Sequence, residues 1–228
     1  MDKTTDLYIK IAIRLLLLFP FAGVLLFLPA GTFAYWEGWV FVAVFFACNL
    51  ALTAYLVLKD PKLLERRMKV GPAAEKGTAQ KIIMVLAFIL FALAAVLPAL
   101  DHRFGWSEVP AFVVVLGNIL IALSYWGFYR VFRENTYGAA TIQVEEEQTV
   151  ISTGPYALVR HPMYSATLIM SIGMLLALGS WWGLLTLVPG SLVLAWRLLD
   201  EEKFLHKNLP GYTEYTRNVR YRLVPHVW

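Results

Sequence analysis

The residues best suited to chemistry lie in the last third of the chain. Arg160-His161-Pro162-Met163-Tyr164 opens one apolar run, and Arg197 and Glu201 stand one helical turn apart at the end of the next. Arginine can hold a carboxylate or a phosphate through two parallel hydrogen bonds. Histidine, tyrosine and glutamate can bind polar ligands or transfer protons. These residue types indicate recognition of a polar ligand at the ends of two apolar segments.

Several common chemistries have no support in the sequence. It contains no zinc-ligand spacing, no glycine-rich phosphate loop and no serine–histidine–acid arrangement, so we predict no metal site. The one cysteine, Cys48, lies inside an apolar run and cannot form an internal disulfide. We expect it to be a small buried hydrophobe.

Long apolar runs must position these residues. The 228 residues are 59% hydrophobic and only 16% charged, whereas a soluble domain usually has about a quarter charged residues. Each run is about as long as a helix that crosses a bilayer core. The sequence therefore predicts an all-α, polytopic membrane bundle, a single membrane domain over 1–228, with six transmembrane helices at 9–29, 37–58, 82–100, 110–129, 162–182 and 183–200. The first run could instead be a signal peptide, but its length favours a span.

The basic residues predict the orientation of the bundle. Of the 20 lysines and arginines, all but Arg103 fall in alternate connections that include both ends of the chain, or in the adjoining ends of the predicted spans. By the positive-inside rule, the N- and C-termini are expected to be cytoplasmic. This distribution also accounts for the net charge of +4 without a nucleic-acid partner. The opposite face carries an aromatic belt of Trp36, Trp39, Trp106, Trp181 and Trp182.

Helix geometry predicts the depth of the candidate residues. Counted from Gly183 at the outer turn, a rise of 1.5 Å per residue places Arg197 roughly 21 Å down, inside the inner leaflet. Glu201 then lies near the membrane edge, at the level where His161 and Tyr164 begin the preceding run. Arg197 could simply reach the headgroups or pair with Glu201, but a pair in that order contributes only about 0.2–0.5 kcal/mol. An ionisable residue within the membrane favours a functional role.

The two halves of the chain differ. Residues 1–130 form a four-span half with few intramembrane polar groups, and residues 131–228 hold two spans, a polar connection of about thirty residues and a tail. Connections of that length are more often functional than idle. In the first half, Asp60-Pro61 predicts the start of a short helix, and we expect Leu63, Leu64 and Met68 to form an apolar face that anchors it on the inner leaflet.

Three segments together resemble the isoprenylcysteine carboxyl methyltransferase family. They are Ser152-Thr153-Gly154-Pro155-Tyr156-Ala157-Leu158-Val159-Arg160-His161-Pro162-Met163-Tyr164, then Arg197-x-x-x-Glu201-Glu202, then Tyr212-x-x-Tyr215. The resemblance covers about 140–228, and the segment from Asp60 to Arg67 is similar to one that many bacterial members carry. The motifs are specific for the superfamily and say little about the substrate.

The resemblance implies an integral-membrane methyltransferase that uses S-adenosyl-L-methionine without a Rossmann domain. The cofactor would enter from the cytosol, and a lipid-like acceptor would arrive through a tunnel open to the bilayer. Arg197 matches the family's substrate-facing arginine, and we expect Arg197 and Glu201 to be the catalytic pair. The implied cofactor contacts are Gln143, Gln148, Thr149, Val150, Ile151, Tyr156, His161, Pro162, Met163, Tyr164 and Glu201. Animal members have eight spans, so the first half stays unassigned.

The acceptor class is open. A prenylated cysteine carboxylate is the first choice, because it is already ionised and Arg197 could hold it bidentately. If Glu201 serves the cofactor, we expect Arg197 to be free for the acceptor, since Glu201 is the only competitor that the sequence suggests. A phospholipid amine or a small thiol is the alternative, and an amine would need a proton acceptor such as His161, Tyr156 or Tyr164.

Two other classes of protein compete with a methyltransferase. Some membrane sterol reductases have a similar C-terminal architecture and bind NADPH. A non-enzymatic helical bundle with a degenerate pocket would also fit the composition. Binding of S-adenosylhomocysteine or of NADPH would distinguish the three classes.

Overall fold

The computed structural model describes residues 3–145 and 147–228, and these contain helices and no strands. The eight α-helices in these ranges are α1 Lys3–Ala30, α2 Trp36–Lys59, α3 Pro61–Met68, α4 Thr78–Phe104, α5 Ala111–Glu134, α6 Pro162–Ala177, α7 Leu187–Asn208 and α8 Tyr212–Asn218. Short 3-10 turns lie at Pro72–Ala74, Gly154–Ala157 and Trp182–Thr186. The all-α prediction is confirmed.

Within the residues that the structure describes, five segments are long and apolar enough to cross a membrane. They are Leu7–Ala30, Trp36–Lys59, Thr78–Phe104, Ala111–Glu134 and Trp182–Asn208. Large apolar side chains such as Leu16, Leu28 and Phe112 are exposed on their outer surfaces, as lipid contact requires. Helix α6 is apolar but has only 16 residues, a length of about 24 Å. The protein is an integral membrane protein. That α6 also crosses the membrane, which would make six spans, stays a prediction, and so does the orientation.

Helices α5 and α6 make the most extensive contact in the bundle. Their backbones touch at Gly117 and Gly173: a Cβ on Gly117 would lie 2.2 Å from the backbone nitrogen of Ala177, and one on Gly173 would lie 2.9 Å from the carbonyl oxygen of Gly117. Small residues permit this close approach in membrane bundles, where packing rather than hydrophobic burial holds helices together. The seam is the frame on which both ends of α6 are positioned.

The short helix α3 begins where the sequence predicted. Pro61 occupies its first turn, and the Asp60 carboxylate accepts a hydrogen bond from the Leu63 backbone N–H at 2.9 Å. The expectation that Leu63 and Leu64 lie on the lipid leaflet was wrong. Both are buried against Val131 and Phe132 and the end of α2, because α3 folds back over the ends of α2 and α5.

Candidate active site

A polar cleft lies at the N-terminal end of α6 and the C-terminal end of α7. Its walls come from the connection after α5, from the segment that leads into α6, and from α7 and α8. Every residue that the resemblance implied as a cofactor contact lines it: Gln143, Gln148, Thr149, Val150, Ile151, Tyr156, His161, Pro162, Met163, Tyr164 and Glu201. Three segments that are separate in sequence therefore meet around one cavity.

A buried carboxylate anchors one wall of the cleft. Glu202 is 5% exposed and accepts contacts from Arg160 Nη1 at 2.9 Å, Arg222 Nε at 2.9 Å and the His161 ring at 3.3 Å. The tail adds two backbone hydrogen bonds. The N–H groups of Arg160 and His161 donate to the carbonyls of Tyr221 and Arg222, respectively, each at 2.9 Å. The sequence had singled out Glu201 and missed this role of its neighbour. Only the phase of α7 decides which of the two acids faces Arg160.

Tyr156 is fixed within the cleft by both its hydroxyl and its carbonyl. The Asn135 side-chain amide donates to its Oη at 2.9 Å, and the Tyr215 hydroxyl donates to its carbonyl at 2.7 Å. Desolvation raises the pKa of Tyr156 to about 12, so its phenol is neutral at physiological pH. The turn that carries it starts at Gly154, with φ +57°, where a Cβ would lie 2.9 Å from the Glu134 side chain. The left-handed backbone therefore favours glycine at that position.

A second, apolar cavity lies between α4, α6 and α7, at the level of the membrane core. Phe88, Phe91, Met170 and Leu194 are among the residues that line it, and Phe88 and Phe91 are exposed on the outer surface. Arg197 lines the end of this cavity that is nearest the polar cleft, which we call its inner end. It is the one charged lining residue within the described part of the chain. This cavity has the shape and polarity for an apolar chain that enters from lipid.

The two cavities meet at Tyr164. Its hydroxyl donates to Glu201 in a short hydrogen bond and accepts one from Arg197 Nε at 3.2 Å. Tyr164 and Glu201 line the polar cleft, whereas Arg197 lines the apolar cavity. The His161 ring stacks on Tyr164 with 5.6 Å between ring centroids. The structure thus places the four residues in one contiguous layer.

Arg197 is not free, which corrects the sequence-based expectation. Its Nη2 donates to Glu75 Oε1 at 2.9 Å and to the Ala140 carbonyl at 2.8 Å, and its Nη1 donates to Gln80 Oε1 at 2.9 Å. With the bond to Tyr164, four of its five N–H groups are engaged. Glu201 was therefore not the only competitor: Glu75 lies far from Arg197 in sequence, in the connection before α4.

Two arginines from the first half of the chain also hold the connection after α5, which forms one wall of the cleft. Arg66 Nη1 donates to the Thr136 carbonyl at 2.7 Å, and Arg67 Nη1 donates to the Gly138 carbonyl at 3.1 Å. The Arg67 guanidinium also lies over the Phe132 ring at 4.5 Å. Burial lowers the pKa of Arg67 to about 10, which leaves it charged at neutral pH. These contacts give α3 a structural role, in a half of the chain whose role the sequence left unassigned.

The fold and site define a helical membrane protein with a polar cleft and an apolar cavity that meet at one layer. Residues 112–210 match a family model described as phospholipid methyltransferase. The match runs from α5 to just beyond α7, so it includes Tyr164, Arg197 and Glu201 but not Glu75. No curated protein matches the chain. Together with the apolar helices, the family match supports an integral-membrane methyltransferase.

Proposed function

We propose that this protein transfers a methyl group from S-adenosyl-L-methionine, bound in the polar cleft, to a lipid-like acceptor held in the apolar cavity. Two cavities of opposite polarity that meet at Tyr164 support this proposal, within a region similar to phospholipid methyltransferases. Methyl transfer from a sulfonium needs alignment of donor and acceptor and exclusion of water. A junction between an aqueous cleft and a lipid-facing cavity suits both needs.

The polar cleft has the donors and acceptors that this cofactor would use. Tyr212 Oη and Arg160 Nε are buried there without a hydrogen-bond partner in the described structure. Buried polar atoms are rarely left unpaired, and these two suit the carboxylate of the cofactor. The Glu201 carboxylate offers an acceptor for its amino or hydroxyl groups. Val150 and Ile151 provide an apolar wall for the adenine ring of the cofactor. When bound, the cofactor would supply the electrophilic methyl group.

The surroundings of Arg197 favour an amine over a carboxylate as the acceptor. The prenylated cysteine carboxylate, our first choice from the sequence, would need Arg197 to release Glu75 or other partners before two N–H groups could face it. A phospholipid amine also agrees with the description of the matched family. We therefore propose a phospholipid amine as the acceptor, with the prenylcysteine carboxylate as the alternative.

An amine acceptor must lose a proton before it can attack. An ammonium headgroup has a pKa near that of lysine, about 10.4, so most of it is protonated at pH 7. The Tyr164–Glu201 pair could take this proton: the Tyr164 oxygen accepts it while its own proton passes to Glu201. The neutral nitrogen then bonds to the methyl carbon as the sulfur–methyl bond breaks, leaving S-adenosylhomocysteine. Arg197, which donates to the same phenol oxygen, orients Tyr164.

We also propose that the polar cleft faces the cytoplasm, because the basic residues gather at that end. Reporter fusions after Lys59 and after Val131 should give cytoplasmic signals, and fusions near Ser107 should give external signals. A cytoplasmic signal at Ser107 would reverse this orientation.

Two measurements test the proposed function. Calorimetry on the purified protein should detect binding of S-adenosylhomocysteine and none of NADPH. Binding of NADPH alone would indicate a reductase, and binding of neither would indicate a non-enzymatic bundle. Membranes that contain the protein should then be supplied with methyl-labelled S-adenosylmethionine and analysed by mass spectrometry. A labelled phospholipid amine is expected, and a labelled prenylcysteine ester would instead establish the carboxylate acceptor.

A further inference from the structure

We propose that Glu75 determines acceptor specificity by occupying Arg197 and so excluding anionic headgroups from the inner end of the apolar cavity. This inference rests on the proposed function. Glu75 lies between α3 and α4, outside the residues that match the family model. It is 4% exposed, and its Oε1 is 2.9 Å from Arg197 Nη2.

The balance of charge at the inner end of the apolar cavity is the basis of the proposed selectivity against anionic headgroups. Arg197 is the one charged residue that lines the cavity in the described chain, so unpaired it would attract an anion. With Glu75 in place, the pair is neutral. An incoming carboxylate or sulfonate would have to displace Glu75 and leave a buried carboxylate without a counterion. Breaking a buried ion pair in this way is strongly unfavourable.

Other contacts hold Glu75 where it is. Its Oε2 accepts a weak hydrogen bond from the Ile142 backbone N–H at 3.4 Å, and Arg197 is anchored beside it on the Ala140 carbonyl. Arg197 is also the one cation that pairs with Glu75 within residues 3–145 and 147–228. Glu75 therefore has no second charged partner there to which it could move when a ligand arrives.

The neighbouring acids reinforce the exclusion of anions. The Gln80 amide that accepts from Arg197 also donates to the Asp200 carboxylate, and Glu201 lies one hydrogen bond away through Tyr164. Three carboxylates thus surround one guanidinium. A headgroup without net charge, such as the zwitterion of a phospholipid amine, meets balanced charge, whereas a headgroup with net negative charge meets repulsion.

Two ligands that share one apolar chain, one with an anionic headgroup and one with a neutral headgroup, test this inference. Hexadecanesulfonate and hexadecanol share one chain, and their competition for the full-length protein in neutral detergent gives a ratio of affinities. In Glu75→Gln, the ratio of sulfonate to alcohol affinity should rise about tenfold over wild type, because a hydrogen bond to a charged group contributes about that much. The double variant Glu75→Gln with Arg197→Gln should lose the gain. Glu65→Gln, at an exposed position of α3, should show the wild-type ratio.

A merely structural ion pair would behave differently. It would change the melting temperature of Glu75→Gln and leave the ratio of affinities where it was, and that outcome in a folded variant would overturn the inference. If Glu75→Gln does not fold, Glu75→Asp provides a second test, since the shorter side chain keeps the charge but draws the carboxylate away from Arg197 Nη2. A smaller rise in the ratio is expected there, and no rise in the folded variant would overturn the inference.

Calorimetry with S-adenosylhomocysteine on the same preparations separates the two proposals. If wild type fails to bind it, the proposed function fails, whatever the ratio of affinities. If wild type binds it and the ratio does not move in Glu75→Gln, only the role of Glu75 is lost.

Discussion

The polar cleft and the apolar cavity share α6 and α7 but are built in different ways. The cleft is formed by connections and helix ends, which are held by hydrogen bonds and ion pairs between distant segments. The apolar cavity is formed by the middles of three helices, whose packing leaves space between them. Arg197 and Glu201 lie one turn apart on α7 and yet line different cavities. A single helix therefore lines two different cavities because depth along it changes the surroundings.

This difference means that the two cavities should respond separately to substitution, except where they share the seam between α5 and α6. Substitutions in that seam should affect both. Substitutions that fill the apolar space should affect only the acceptor, whereas substitutions of polar cleft residues should weaken binding of the cofactor.

The largest expected effect is the loss of both cavities in Gly117→Ala. The added Cβ would lie 2.2 Å from the backbone nitrogen of Ala177, and backbone atoms cannot move aside as a flexible side chain can. Overpacking of this kind costs about 1–3 kcal/mol or more. We expect a lower melting temperature and weaker binding of S-adenosylhomocysteine. Gly23→Ala is the matched control, because its Cβ would meet nothing within 4 Å. Equal melting temperatures for the two variants would contradict the importance of the seam.

The next effect should be confined to the acceptor. Gly190 lines the apolar cavity, and a Cβ there would meet nothing within 4 Å, so Gly190→Phe should fold and fill the space. We expect kcat/KM for the lipid acceptor to fall about thirtyfold, or about 2 kcal/mol, with unchanged affinity for S-adenosylhomocysteine. Gly23→Phe fills a different apolar groove and should leave both values unchanged. Retained acceptor turnover in Gly190→Phe would remove this cavity as the acceptor route.

A complementary effect should appear in the binding of the cofactor. His161→Ala and Glu201→Ala each remove a side chain that lines the polar cleft. Each should weaken binding of S-adenosylhomocysteine about tenfold, which is about 1.4 kcal/mol. Glu214→Ala, at an exposed position of α8, is the control. Wild-type affinity in both well-folded cleft variants would refute the assignment of the cofactor to this cleft.

The smallest effect concerns pH and Tyr156. Its pKa is raised to about 12 in the folded protein, against an ordinary value near 10, so ionisation favours the unfolded state. The stability that this phenol contributes is complete below pH 10 and is lost as the pH rises towards 12. Between pH 9 and pH 11, wild type should therefore lose about 1.4 kcal/mol more stability than Tyr156→Phe, as measured by denaturant unfolding. Parallel losses in both proteins would show that Tyr156 does not titrate in this way.

Much of the site could be predicted because its parts are local. The segment from Tyr156 to Tyr164 is nearly continuous in sequence, and Arg197 and Glu201 are separated by one turn of a helix. Helix rise alone then predicts that the hairpin of α6 and α7 returns Arg197 to the level of Tyr164, where they are in contact. The start of α3 at Asp60-Pro61 is local in the same sense.

The sequence by itself determined the helices and their apolar faces, because periodicity and capping depend on near neighbours. The residues expected to contact the cofactor came instead from the resemblance to a family. Only the tertiary structure decided the partners of the charged groups. Glu75 reaches Arg197 from the connection before α4, and Glu202 rather than Glu201 receives Arg160 and Arg222. No local pattern encodes such pairs, since they depend on how distant helices pack and on the phase of α7 at its end. The same packing seated α3 on the protein instead of on lipid.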